Sequence, residues 1–162
     1  MEKIFVSNEI VLVPMREELY HAEMKHYTAD PMMCEEPYTY TWKIAQSCYE
    51  RKSKHKNRVW FAIVRKGTVI GDVYLKEIDI EKRTGVLSIA FARDCDKGKG
   101  YGTAVEQKMI EYGVNELGLQ TFYADAILRN TRSQHVLEKV GFQCIGQDNL
   151  FRYYRYDSLD CK

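Results

Sequence analysis

The stretch Lys97-Gly98-Lys99-Gly100-Tyr101-Gly102-Thr103 decides how this chain is read. It stands between an apolar run that ends at Ala92 and a set of residues at helical spacing, Val105, Met109, Tyr112, Gly113 and Leu117, so it joins a predicted strand to a predicted helix. Glycines at such a junction let consecutive backbone N–H groups approach an anion, and the helix N-terminus adds a favourable dipole. The same glycines also suit a plain tight turn, and the loop by itself does not separate the two. Spacing does narrow the phosphate ligands. No Gly-Lys-Ser/Thr follows at the interval of a P-loop, and the alternating glycines lack the G-x-G-x-x-G order and early position of a dinucleotide fold.

Upstream of the loop, the chain reads as an antiparallel meander. Strands are predicted over 59–65 and 68–78, turning at Lys66-Gly67, and over 86–92 after a turn around Glu81 to Gly85. A strand over 9–13, closed by Pro14, precedes helices over 16–27 and 42–52. Asp30-Pro31 breaks the chain between those helices. Downstream of the loop the order is helix, strand at 122–128, helix at 133–140 stopped by Gly141, strand at 142–146 and a last strand around 152–156. The fold class is therefore α/β in the α+β sense: a mixed, mostly antiparallel twisted sheet of six or seven strands flanked by four helices. Residues 1–162 read as a single domain.

Composition sets outer bounds. In 162 residues, 45% are hydrophobic and 29% charged, which is ordinary globular usage. The net charge of +1 gives no global field for nucleic acid or an anionic membrane, so neither is expected as a partner. The basic run Arg51, Lys52, Lys54, Lys56 and Arg58 reads as a solvated helix end, with RNA contact as the other reading. Five scattered cysteines without a C-x-x-C pair, and four histidines without ligand spacing, point to reduced thiols and no metal. Together with the absence of a long apolar run, this makes the cytoplasm the expected compartment. A monomer or homodimer is expected, with nothing in the sequence to choose between them.

The loop resembles the acetyl-CoA motif of GNAT acetyltransferases, Gln/Arg-x-x-Gly-x-Gly/Ala, through Lys97, Gly100 and Gly102, with Lys97 in place of Gln or Arg. A second family motif lies downstream, with Asn130-Thr131-Arg132-Ser133 opening a helix that closes in Glu138-Lys139-Val140-Gly141-Phe142. The opening Asn8 to Met15 resembles the branch that acetylates ribosomal-protein N-termini, the RimJ/RimL type, and its small-amine relatives. The resemblance covers nearly the whole chain. It implies an N-acetyltransferase that takes acetyl-CoA as donor and passes the acetyl group directly to a primary amine in a ternary complex.

The same resemblance implies site residues. Phe91, Ala92 and Arg93 should face the donor's pantetheine arm, and Lys97, Gly98, Lys99, Gly100, Tyr101, Gly102 and Thr103 its pyrophosphate. Asn130 and Ser133 are further donor contacts, although both also suit a helix N-terminus. The tyrosine that many relatives carry seven residues after the motif Asn is Leu137 here, so Ser133 or a water must supply any proton to the leaving thiolate. The predicted strand over 86–92 lacks the acid that many relatives place there, which leaves Glu77 and Asp125, beside Asp79, as candidates to deprotonate the amine. Glu35, Glu36, Tyr38 and Trp42 combine anionic and aromatic groups suited to a cationic acceptor, or form a packed aromatic loop. Leu137 and the missing acid also leave room for a donor-binding sensor with little turnover.

Overall fold

The structure, a computed structural model, describes residues 1–32, 34 and 36–158. Its strands are β1 (Ile4–Phe5), β2 (Ile10–Pro14), β3 (Val59–Arg65), β4 (Thr68–Asp79), β5 (Thr84–Phe91), β6 (Thr121–Ile127), β7 (Gln143–Gln147) and β8 (Phe151–Asp157). Its helices are α1 (Glu17–Met24), α2 (Trp42–Ser53), α3 (Tyr101–Leu117) and α4 (Thr131–Val140), with a single 3-10 turn at Asp94–Asp96. The strands form one open sheet in the order β1-β2-β3-β4-β5-β6-β8-β7, and only β5 and β6 run parallel. The strand beyond the expected seven is β1, whose two residues are too short to carry a periodicity.

Alternation along the strands sorts the side chains onto two faces. On one face Phe61, Val73, Leu75, Leu87 and Phe122 meet Val105 and Met109 of α3 and Leu137 of α4, forming the main core. On the other, Trp60 packs against Tyr20 of α1 and Ala45 of α2. The buried face of α3 comprises Val105, Glu106, Met109, Ile110 and Gly113. It is turned slightly from the face read in the sequence, because Tyr112 is only partly covered.

The second face corrects the reading of the basic run. Lys52 lies inward, its Nζ 3.7 Å from the buried Asp72 and 5.1 Å from the centre of the Tyr20 ring. Arg58 stacks over Tyr74 at 4.6 Å. Two of the five cations thus cover aromatic surface instead of forming a free basic stripe, since Arg and Lys stems favour such packing. The tyrosines of the last strand divide as alternation requires: Tyr154 is buried and donates to Glu138 of α4, whereas Tyr153 is exposed and donates to Asp148. No helix among the described residues is long and apolar enough to cross a membrane.

Candidate active site

The site begins where the parallel pair fails. β5 and β6 are in register only at Thr84–Thr121, Gly85–Phe122 and Val86–Tyr123. Beyond these residues β5 stays with β4 as far as Phe91, while β6 stays with β8 along its whole length, so the two strands part. The Ala92 N–H turns away from the gap and donates to the Ile70 carbonyl at 2.8 Å. Since N–H and C=O directions alternate residue by residue along a strand, Leu87, Ile89 and Phe91 present their backbone groups to the gap. The resulting cavity, about 500 Å³, is lined from both faces of the sheet: Leu87 and Leu137 on one side, Ser88, Ala90 and Asp125 on the other.

The glycine loop and α3 close one end of this cavity. Gly98 and Gly100 take φ of 72° and 81°, a region that side-chain-bearing residues avoid, and Gly100 is the N-cap of α3. The N-cap Gly100 has no side chain to cap α3, in contrast to α2, where Thr41 accepts from Ile44 N–H, and α4, where Asn130 accepts from Ser133 N–H. Among the described residues no side chain receives the first-turn N–H groups of this 17-residue helix, whose start lines the cavity. That is the arrangement an anionic group completes, so the loop fits the pyrophosphate of acetyl-CoA.

Lys97, at the motif position of Gln or Arg, is engaged within the protein. Its ammonium is bound to Asp30, in the segment that follows α1, and lies 3.7 Å from Asp94. Burial works against the Asp30 charge, but hydrogen bonds from Lys97 and the Met32 N–H outweigh it and hold the carboxyl below its usual range. Lys97 thus ties the loop to the segment beyond α1 as well as lining the cavity.

The start of α4 forms the opposite rim. The side-chain oxygen of Asn130 accepts the Ser133 N–H at 3.1 Å, so its capping role is realised while both residues line the cavity. Gln134 fixes this helix end more firmly: its Nε2 donates to the carbonyls of Ile127 and Leu128 at 3.0 and 2.8 Å, and its Oε1 accepts from Arg152. Arg132, His135 and Lys139 follow along the cavity side of the helix, suited to the remaining phosphate of the donor.

Glu106 of α3 also lines the cavity, although no motif marks it. It is 2% exposed, and its Oε2 has no hydrogen-bond partner among the described residues. Burial alone pushes its carboxyl up to about 8, against about 4.3 for an ordinary glutamate. With the folded value raised, the folded chain holds a proton that the unfolded chain has released. The stability tied to that proton is complete below the unfolded value and is lost as pH rises through about 8. Thermal melts from pH 5 to 9 should show wild-type stability declining across that window, and Glu106→Gln should flatten the decline. Equal slopes in the two proteins would contradict the burial of an ionisable group here.

A family model described as an acetyltransferase (GNAT) domain matches residues 9–143. The chain belongs to the GNAT acetyltransferase family. It is therefore an acetyl-CoA-dependent N-acetyltransferase, with acetyl-CoA as its donor. Human alpha/beta-tubulin-N-acetyltransferase 9 is 27% identical over 164 residues, covering 92% of this chain and 79% of the relative. Among solved structures, the Vibrio cholerae spermidine N-acetyltransferase in complex with CoA and spermine matches with a TM-score of 0.69 and 18% identity, over 93% of this chain and 96% of the other. RimL, a ribosomal L7/L12 alpha-N-protein acetyltransferase in complex with coenzyme A, matches with a TM-score of 0.76 and 13% identity, over 96% and 98%. At these identities the solved structures speak for the fold.

The geometry sorts the residues named from the sequence. Phe91, Lys97, Gly98, Gly100, Gly102, Thr103, Asn130, Ser133 and Asp125 all line the cavity. Ala92 does not, because it is buried with its N–H given to Ile70 and its carbonyl accepting from Thr28. Arg93 is held by Asp96 at 2.9 Å, and Lys99 lies on the exposed side of the loop. Tyr101 points to the other side of the helix start, where its hydroxyl donates to Glu9 and Arg65 covers its ring.

Glu77 is exposed at a bulge of β4 with φ of 51° and does not line the cavity. Tyr38 packs edge-on against Tyr27, which does line it. Trp42 stacks on His21 at 5.6 Å, and both His21 nitrogens are occupied, by Tyr40 and Gln46. Glu36 is exposed, and Glu35 lies outside the described residues.

Proposed function

We propose that this enzyme moves the acetyl group of acetyl-CoA directly to a primary amine, either a protein N-terminus or a small amine such as a polyamine, with both substrates bound at once. The observation that carries this reading is the gap between β5 and β6, whose cavity is lined from both faces of the sheet. A donor entering over α3 and α4 meets an acceptor arriving over Ser88, Ala90 and Asp125, so no covalent enzyme intermediate is needed. The backbone N–H groups along Leu87 to Phe91 are suited to hold the carbonyl oxygen as it gathers negative charge. Of the hydroxyl residues lining the cavity, which include Ser88 and Thr103, we assign to Ser133, at the rim formed by α4, the protonation of the departing sulfur, because Leu137 is buried and has no proton to give.

The four carboxylates lining the cavity differ in their engagements. Asp30 is bound to Lys97, Asp96 to Arg93, and Glu106 is sealed on the α3 side. Asp125 is the exposed one, on the face away from α3, and it is the group to take the amine proton, directly or through water. A thiol-release assay over a panel of small amines, polyamines and N-terminal peptides tests the reading. Turnover with any of them is the expected result and rejects a donor-binding sensor. Calorimetric acetyl-CoA binding without turnover across the panel would overturn it in favour of the sensor.

A further inference from the structure

Among the described residues, two buried carboxyls, Glu23 and Glu106, have an Oε2 without a hydrogen-bond partner, and of these Glu106 lines the cavity. Asp72, by contrast, accepts from the Trp60 indole at 2.8 Å and Asp96 from Arg93 at 2.9 Å. Glu106 lies on the core-facing side of α3 beside Val105 and Met109, where a leucine would add apolar burial at no desolvation cost. An unsatisfied buried carboxyl at such a position is destabilising, so its presence calls for a ligand that satisfies it. The residue lines the same cavity as Leu87, Ile89, Ala124, Ala126 and Leu137, an apolar sleeve directly behind the pyrophosphate loop. A donor anchored at that loop must run its pantetheine arm through this sleeve, and the amide groups of that arm need hydrogen-bond partners there. β5 offers backbone groups from one side of the gap only.

We propose that the Glu106 carboxyl hydrogen-bonds an amide of the pantetheine arm of acetyl-CoA, acting as a positioning residue for the donor. The inference rests on the acetyl-CoA-dependent reading of this cavity. A protonated carboxyl offers one donor and one acceptor side by side, which matches the C=O and N–H of an amide. With its carboxyl raised to about 8 by burial, Glu106 is in that form at neutral pH. Other charged groups also face the cavity: Lys76 from β4, Asp125 from β6, Arg132, His135 and Lys139 from α4, the ion-paired Asp96 and Lys97 before α3, and Asp30. Burial is the cause resolved for Glu106, so its proton is governed by the burial of the carboxyl itself and not by one of these charges.

Calorimetry with acetyl-CoA and with ADP, which carries a pyrophosphate but no pantetheine arm, tests this on the full chain. At about pH 6.5, Glu106→Leu should weaken acetyl-CoA about tenfold and leave ADP unchanged, as expected for the loss of a buried hydrogen-bond pair. Glu106→Gln, which keeps a donor and an acceptor, should stay within about twofold of wild type. Above about pH 8, wild-type affinity for acetyl-CoA should fall while that of Glu106→Gln holds. The proposal is overturned if Glu106→Leu, folded by circular dichroism, binds acetyl-CoA as tightly as wild type. It is equally overturned if that variant weakens acetyl-CoA and ADP alike, which would mark a distorted cleft. Wild-type protein that binds ADP but not acetyl-CoA would sink the donor reading beneath it.

Discussion

Ser133→Ala is expected to lower kcat by about a hundredfold or more, in the range that removal of a positioned general acid produces, while leaving the fold and the donor affinity nearly unchanged. The separation follows from how α4 begins. The hydrogen bond that fixes its first turn runs from the Ser133 backbone N–H to the Asn130 side chain, and alanine keeps that N–H. Gln134 anchors the same turn to the end of β6 independently of the hydroxyl. Only the Oγ is lost, at the cavity rim where the proposed mechanism has it protonate the departing thiolate. Single-turnover acyl transfer with a responsive amine, beside a thermal melt and acetyl-CoA calorimetry, would measure all three quantities. A kcat within a few fold of wild type would remove Ser133 from the chemistry and leave water as the acid. A melting point lowered by many degrees would show that the hydroxyl is structural instead.

The contrast between Ser133 and Glu106 shows what sequence reading can reach here. The glycine loop, the helix opened at Asn130 and the meander before them each carry a local signal, because φ freedom, capping and alternation are properties of neighbouring residues. Which backbone groups face the gap is not local. The sequence groups Ala92 with Phe91 as a donor contact, yet one step along the strand reverses its N–H toward Ile70, a register fixed by pairing with β4. Lys97 reads as a phosphate ligand, and only the folded chain adds its tie to Asp30, brought against it from the segment after α1. Glu106 could have been found: it falls between Val105 and Met109 on the helix face that the spacing marks as buried, and a carboxylate in that register is the informative exception. The acceptor side stays the least legible, since Glu36, Tyr38 and Trp42 come from a long connection and the start of a helix whose packing no periodicity encodes.

Gly71→Ala is expected to destabilise the chain by more than about 3 kcal/mol, beyond the usual cost of an added methyl in a packed core, and to abolish acetyl-CoA binding in any molecules that remain folded. Gly71 is a buried residue of β4, paired with Ile63 of β3 on one side and Phe91 of β5 on the other. A Cβ at this position would lie 2.1 Å from the Ala90 carbonyl oxygen and 3.0 Å from the Phe91 Cα. Both are backbone atoms, so no rotamer change relieves the overlap, and β5 itself must move. β5 is also the wall of the cavity, and its distance from β6 sets the width of the gap that receives the donor. The methyl group therefore forces a choice between an unpaired β4–β5 ladder, which costs the central hydrogen bonds of the sheet, and a displaced β5, which narrows or skews the cleft. Gly102→Ala is the matched control, since a Cβ there meets only the Phe91 and Val136 side chains at 3.6 and 3.7 Å, ordinary van der Waals separations. Chemical denaturation should give a large loss of stability for Gly71→Ala and a near-wild-type value for Gly102→Ala, and acetyl-CoA calorimetry should show the loss of donor binding in Gly71→Ala. A stable, donor-binding Gly71→Ala protein would mean that the spacing of β4 and β5 is softer than these contacts require.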